Sequence, residues 1–241
     1  MTTNPLADGP TIDPETLDST RRGLHELAEH VLSADIFRHT GHIGLRPSPG
    51  GIATPNVIVD GVARQVRIEG ADLVVLVGDE RLAVPVTTIA EAAAIIGVEA
   101  GAPPAYEAAT TLTPERPLVL DPDAVSLIAD WYGFGDEALE RFVAEHVADV
   151  FGPAQLWPEH FDLAVHASDD GRGELVLGVS PGDAVDPQPY AYVAWQGFSD
   201  ASRSADPNWW NRPWGRHVPA DSFETTDDLV AFYEEGWERS R

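Results

Sequence analysis

The chain is expected to fold as an α+β protein, with an antiparallel sheet or sheets flanked by helices in two helix-strands-helix halves. Three observations predict it. Asp13-Pro14 and Asp121-Pro122 each place a capping side chain before a proline at the first helical position. Between those two starts, short β-rich runs are separated by close turn pairs, the pattern of an antiparallel meander. After the second start, residues 160–196 hold three further β-rich runs, joined by Asp169-Asp170-Gly171 and the Pro181–Pro189 loop.

The elements follow in order. Leu17, Leu24, Ala28, Val31 and Leu32 recur at helical spacing, so a helix is expected over about 14–34. Pro47, Pro49, Gly50, Gly51 and Pro55 break the pattern into a loop. Strands are then expected near 56–60, 63–69, 72–78 and 81–86, divided by Asp60-Gly61, Glu69-Gly70 and Gly78-Asp79. Thr88 with Glu91 opens an Ala/Ile-rich helix that Gly97 ends. Residues 98–120 lack periodicity and read as a linker between an N-terminal half, 1–97, and a C-terminal half, 121–241. The second half is expected to open with a helix to Tyr132, a break at Gly133-Phe134-Gly135, and a continuation over about 136–150. Strands near 160–167, 174–180 and 190–196 come next, then a long loop over 197–222 and a closing helix from Thr226 to Arg239. Two domains, or one joint domain, both fit this order.

Composition narrows the function. The 241 residues are 43% apolar with seven Trp, enough for a sizeable core. With no Cys, disulfides, thiolate metal sites and cysteine nucleophiles are excluded. Forty acidic residues against fifteen basic ones, all Arg, give a net charge of −25. Such a surface repels phosphate backbones and anionic lipid, so neither nucleic acid nor a membrane is an expected partner. Met1 to Pro10 carry neither the basic start nor the apolar run of a signal peptide, and a cytoplasmic location is expected.

The segment from Leu156 to His166 is the richest in chemistry. Read as one strand, it places His160, Asp162 and His166 on one face and Phe161, Leu163 and Val165 on the other. A His–Asp pair suits general acid–base work, with His160 as acid/base and Asp162 fixing its tautomer, and it also suits a divalent metal completed by Asp183. His166, two more pleats along, lies too far from His160 to share a first shell. Ser180-Pro181-Gly182-Asp183 is a turn by composition, which leaves Asp183 either as a turn-stabilising side chain or as a ligand. Tyr190 and Tyr192 share a face at period two and would floor the site, with Trp157 beside them. Trp210, Arg212, Trp214 and Arg216 sit in an aromatic and cationic loop that can cover a pocket and offer Arg to an anion, or simply pack on a sheet edge. His25-Glu26-Leu27-Ala28-Glu29-His30 fails the zincin spacing His-Glu-x-x-His, since Glu29 stands four after His25, and it reads as a solvated helix face.

Trp157-Pro158-Glu159-His160-Phe161-Asp162-Leu163-Ala164, Ser180-Pro181-Gly182-Asp183 and Pro189-Tyr190-Ala191-Tyr192 resemble the serial motifs of a bacterial family common in actinobacteria. Its pattern runs Trp-Pro-His-His-Phe-Asp-Leu-Ala, Phe-Ser-Pro-Gly-Asp and Pro-Tyr-x-Tyr. Glu159 departs from it, standing where the family often has His, which weakens a metal site built on paired histidines. The resemblance marks His160, Asp162 and Asp183 and implies no activity. The expectation is therefore a small-molecule-binding or catalytic pocket in the C-terminal half, with the cofactor unassigned; the competing expectation is a protein-interaction module that docks through its acidic surface or Trp-rich loop.

Overall fold

The computed structural model describes residues 2–7, 12–146, 151–169, 173–196, 206 and 208–240. The fold is α+β, with a six-stranded and a five-stranded antiparallel sheet. Among the described residues no helix is long and apolar enough to cross a membrane.

The chain forms two compact units that interleave in sequence. One holds Met1–Gly9, Trp131–Gln155 and Asp162–Arg241; the other holds Pro10–Asp130 and Leu156–Phe161. The segment 98–120, expected as a linker, lies within the second of these.

In the Pro10–Asp130 unit, α1 spans Pro14–Leu27, with the Asp13 carboxylate accepting from the Thr16 amide at 3.0 Å. The expected single helix is in fact three pieces. A π-helical turn, Ala28–Leu32, follows α1, and α2, Ser33–Thr40, carries the helix past its expected end to Gly41 in the left-handed region. Strands β1 (Arg46–Ser48) and β2 (Gly51–Ala53) form a hairpin inside the segment expected to be a loop. Then come β3 (Val57–Val59), β4 (Val62–Glu69), β5 (Asp72–Val77) and β6 (Glu80–Pro85), close to the expected meander. The sheet order is β1-β2-β4-β5-β6, with β3 also on β4. Helix α3, Ile89–Ile96, begins at the Thr88 cap, ends at Gly97, and packs on the π turn. Leu24, Leu27, Val31, Leu32, Ile52, Val66, Ile68 and Leu73 are buried in this unit.

Helix α4 runs unbroken over Pro122–Glu145, so the expected break at Gly133-Phe134-Gly135 does not occur. Gly135 is there for proximity: a Cβ at that position would lie 2.3 Å from a Val179 methyl, so only glycine lets helix and sheet approach so closely. The continuation expected to 150 falls partly on 147–150, outside the described residues.

The five-stranded sheet has the order β11-β10-β9-β8-β7, whose strands are Gly215–Pro219 (β11), Tyr190–Gln196 (β10), Gly173–Ser180 (β9), Asp162–Asp169 (β8) and Gln155–Trp157 (β7). Strand β11 lies inside the expected 197–222 loop, much of the rest of which is outside the described residues. The register pairs Leu163 with Val179 and Val165 with Leu177, as the alternation predicts. Helix α5, Thr226–Arg239, begins at a Thr225/Asp228 capping box and meets β10 where Gly236 approaches Val193.

Candidate functional site

Of the expected site residues, the structure links Asp162 with Tyr192 and Asp183 with Tyr190. Tyr192, Gly178 and Ala164 are register partners on β10, β9 and β8. A Cβ at Gly178 would lie 2.7 Å from the Tyr192 hydroxyl, so the missing side chain is what lets this tyrosine cross β9 and donate to Asp162 on β8. Burial and the Asp162 carboxylate hold the Tyr192 hydroxyl well above its ordinary pKa. Tyr190 donates to Asp183 at 2.8 Å, and the other Asp183 oxygen accepts the amides of Val185 (2.6 Å) and Asp186 (2.8 Å). Asp183 is thus the turn-stabilising residue of the two readings left open. A single Arg212 nitrogen, Nη2, donates to both Asp186 oxygens, each at 2.9 Å. His217 stacks near Tyr190 with 4.4 Å between ring centroids, and burial lowers its pKa against the pull of Asp186.

Of the two readings left open for the Trp-rich loop, packing describes its first two tryptophans. Trp209 and Trp210 are buried, and Arg216 bonds the Trp209 carbonyl at 2.8 Å while lying over that ring. Trp214 is half-exposed and meets Tyr192 edge-on at 6.1 Å. Neither Arg212 nor Arg216 stands as an open anion clamp. His166 pairs with Glu174 at 2.6 Å.

His160 is not on the strand face. Strand β8 starts at Asp162, and residues 158–161 form a turn closed by the Phe161 amide donating to the Trp157 carbonyl at 2.8 Å. Phe161 takes a φ of 50°, a left-handed conformation that costs a bulky residue about 1–2 kcal/mol. That twist ends the alternation assumed for 160–166, leaving His160 exposed and Phe161 buried.

Segment 156–161 belongs to the second unit, held by the Leu45–Leu156 bridge and by Phe161 stacking on His25 at 5.0 Å and 13°. Trp157, Glu159 and His160 therefore stand with His25-Glu26-Leu27-Ala28-Glu29-His30, the stretch expected to be a solvated helix face. The opposite is found: Glu29 is 0%, His30 2% and Glu26 8% exposed. The cause is the π turn. The Ser33 amide reaches back five residues to Ala28, and the Glu29 carbonyl accepts the Ser33 hydroxyl at 2.6 Å and the Tyr106 hydroxyl at 3.3 Å. An extra residue in the turn brings His30 round toward His25.

The Glu29 carboxylate accepts the amides of Ala109 and Thr110, each at 2.8 Å, and the Thr110 hydroxyl. His30 Nε2 meets that same hydroxyl oxygen at 2.9 Å. A hydroxyl has one proton and here gives it to a carboxylate, so His30 Nε2 is the donor and its Nδ1 carries a bare lone pair. The His25 Nε2 faces a Glu29 oxygen at 3.8 Å, too far for a hydrogen bond. Burial lowers the His25 pKa to about 4 despite Glu29, so the imidazole is neutral at pH 7. Tyr106 is pushed upward, first by burial, with Glu29 and Glu159 adding to it.

His25 Nε2, Glu26 Oε2, His30 Nδ1 and Glu159 Oε2 are buried atoms without a hydrogen-bond partner in the protein. Sequence reasoning missed this cluster. Its signal was the apolar run Gly23, Leu24, Leu27, Ala28, Val31 and Leu32, which leaves too narrow a polar arc for a solvated helix. Among the described residues no group of three or more His, Asp or Glu is placed to hold a metal ion.

No family model, curated protein or solved structure matches the chain.

Proposed function

We propose that this protein binds a small polar molecule, and that it does so in the second unit, where the π turn meets residues 156–161, rather than on the C-terminal sheet. One observation carries the reading. Four buried polar atoms of His25, Glu26, His30 and Glu159 lack partners in the protein, whereas around β10 Tyr190 and Tyr192 each donate to a carboxylate and the unmatched atoms are His217 Nε2 and Arg216 Nε. A buried acceptor without a donor costs about 1–3 kcal/mol, so a cluster of them marks a place that a donor occupies. The left-handed Phe161 under His25 supports the same reading, because backbone strain concentrates where function constrains the chain. Tyr106, Trp157 and Glu159 are only partly buried, which gives a ligand an approach.

Native mass spectrometry of the protein as purified tests it. The expected spectrum shows a non-covalent mass increment that denaturation removes and that the double variant His25→Phe/His30→Phe lacks. A bare chain mass in the unsubstituted protein refutes the reading.

A second reading, a docking module, rests on the exposed apolar residues of the six-stranded sheet, with Ile58 72% and Leu82 49% exposed. The Trp-rich loop does not support it, since Trp209 and Trp210 are buried.

A further inference from the structure

We infer that the group recognised by the π-turn cluster is a protonated amine, an inference that rests on the binding site proposed above. The first step is the polarity of what is missing. His30 gives its one proton to the Thr110 hydroxyl, so its Nδ1 is an acceptor, and the buried Nε2 of His25 likewise has no partner in the protein. The unmatched oxygens of Glu26 and Glu159 are acceptors as well. These four atoms can all accept, against one unmatched donor beside them, Arg21 Nε, and a neutral hydroxyl would bring a single donor along with lone pairs of its own. An ammonium brings three donors and no acceptor.

The second step is charge. Glu29 is fully buried and accepts only from neutral groups, two amides and a hydroxyl. Its nearest ionisable neighbour, His25, is uncharged at neutral pH. Of the neighbouring guanidiniums, Arg116 pairs with Glu26, and Arg21 pairs with Asp18 at 2.5 Å through Nη2 while its Nε has no partner in the protein. A buried carboxylate ordinarily has a cation at hand, and this one lacks it. The third step is geometry. With His25 Nε2 and a Glu29 oxygen 3.8 Å apart, one nitrogen between them lies within hydrogen-bond reach of both. The rings of Tyr106 and Trp157, on the partly buried side, suit the methylenes and charge of an alkylammonium. The net charge of −25 draws cations toward the protein as a whole.

The test compares three probes of one size: ethanolamine, ethylene glycol and glycolate. Each is titrated into the full-length protein at pH 7.5, read by calorimetry and by long-range 1H–15N spectra of the histidine side chains. Ethanolamine is expected to bind at least about tenfold more tightly than ethylene glycol, the ratio that one charge-assisted pair confers. Glycolate is expected not to bind. Ethanolamine should move the 15N signals of His25 Nε2 and His30 Nδ1, the second of which in the free protein carries the shift of unprotonated nitrogen. Glu159→Gln, at a partly exposed position that should leave the fold intact, should reduce the ethanolamine affinity several-fold and leave that of ethylene glycol unchanged. Equal affinities for ethanolamine and ethylene glycol, a preference for glycolate, or no binding of ethanolamine each overturn the inference. The mass increment of the native spectrum, measured without any probe, decides separately whether the site binds a ligand at all.

Discussion

Replacing Phe161 by Ala and by Gly should invert the usual order of the two residues. Phe161 is 2% exposed and stacked on His25, so removing its ring should cost about 3–5 kcal/mol in either variant. The two then differ through the backbone. At a φ of 50° alanine keeps the left-handed penalty of about 1–2 kcal/mol, which glycine does not pay. Glycine loses about 0.5–1 kcal/mol more in backbone entropy on folding. The balance leaves Phe161→Gly more stable than Phe161→Ala by about 0.5–1 kcal/mol, against the ordinary ranking. Urea denaturation at pH 7.5, with equal m-values checked so that midpoints compare directly, measures it. Both variants should also raise the His25 titration toward its ordinary range, since burial is the first cause of its low value. If Phe161→Gly proves the less stable of the two, the turn at 158–161 is not left-handed and the account of why His160 leaves the strand fails.

Three further expectations can be checked by similar means. Because His25 falls from 6.5 unfolded to about 4 folded, the unfolded chain binds the extra proton between those values; the stability of the neutral form is complete above about pH 6.5 and falls by roughly 3 kcal/mol as pH drops to 4. His25→Gln should flatten that part of a melting-temperature profile, and an unchanged slope would remove His25 from the pH response. Glu29→Leu strands two amides and a hydroxyl and should cost at least about 3 kcal/mol, whereas Glu29→Gln, which keeps an acceptor, should cost clearly less; equal costs in denaturant would show that the carboxylate's hydrogen bonds do not matter. Gly178→Ala pushes a methyl against the Tyr192 hydroxyl and the Leu163 carbonyl and should destabilise by about 1–3 kcal/mol, so an unchanged midpoint would refute the path of Tyr192 across β9.

The residues alone determined the elements whose causes are local. Asp13, Thr88 and Thr225 cap helices within one turn of themselves, and Gly97 ends one in the same way. Period-two alternation placed β4 to β6 and β8 to β10 within a residue or two, because each apolar side chain reports the face it occupies. The same alternation put Leu163 and Val165 on one face, and it failed at residue 161, where a left-handed residue resets the faces. The two-half division followed composition along the chain, and composition does not show that 156–161 returns to the unit of α1.

Only the tertiary structure decided which polar residues are buried. Glu29 looks like any helical glutamate until Ala109 and Thr110, eighty and eighty-one residues away, supply its donors. The π turn has no pattern of its own, since it is one extra residue in an otherwise helical run, accommodated because Ser33 and Tyr106 take up the Glu29 carbonyl. Gly135 signals a helix break by propensity and is overruled by Val179, against which only a glycine fits. Local signals are carried by neighbours in sequence, while the candidate site depends on partners that become neighbours only once the chain has folded.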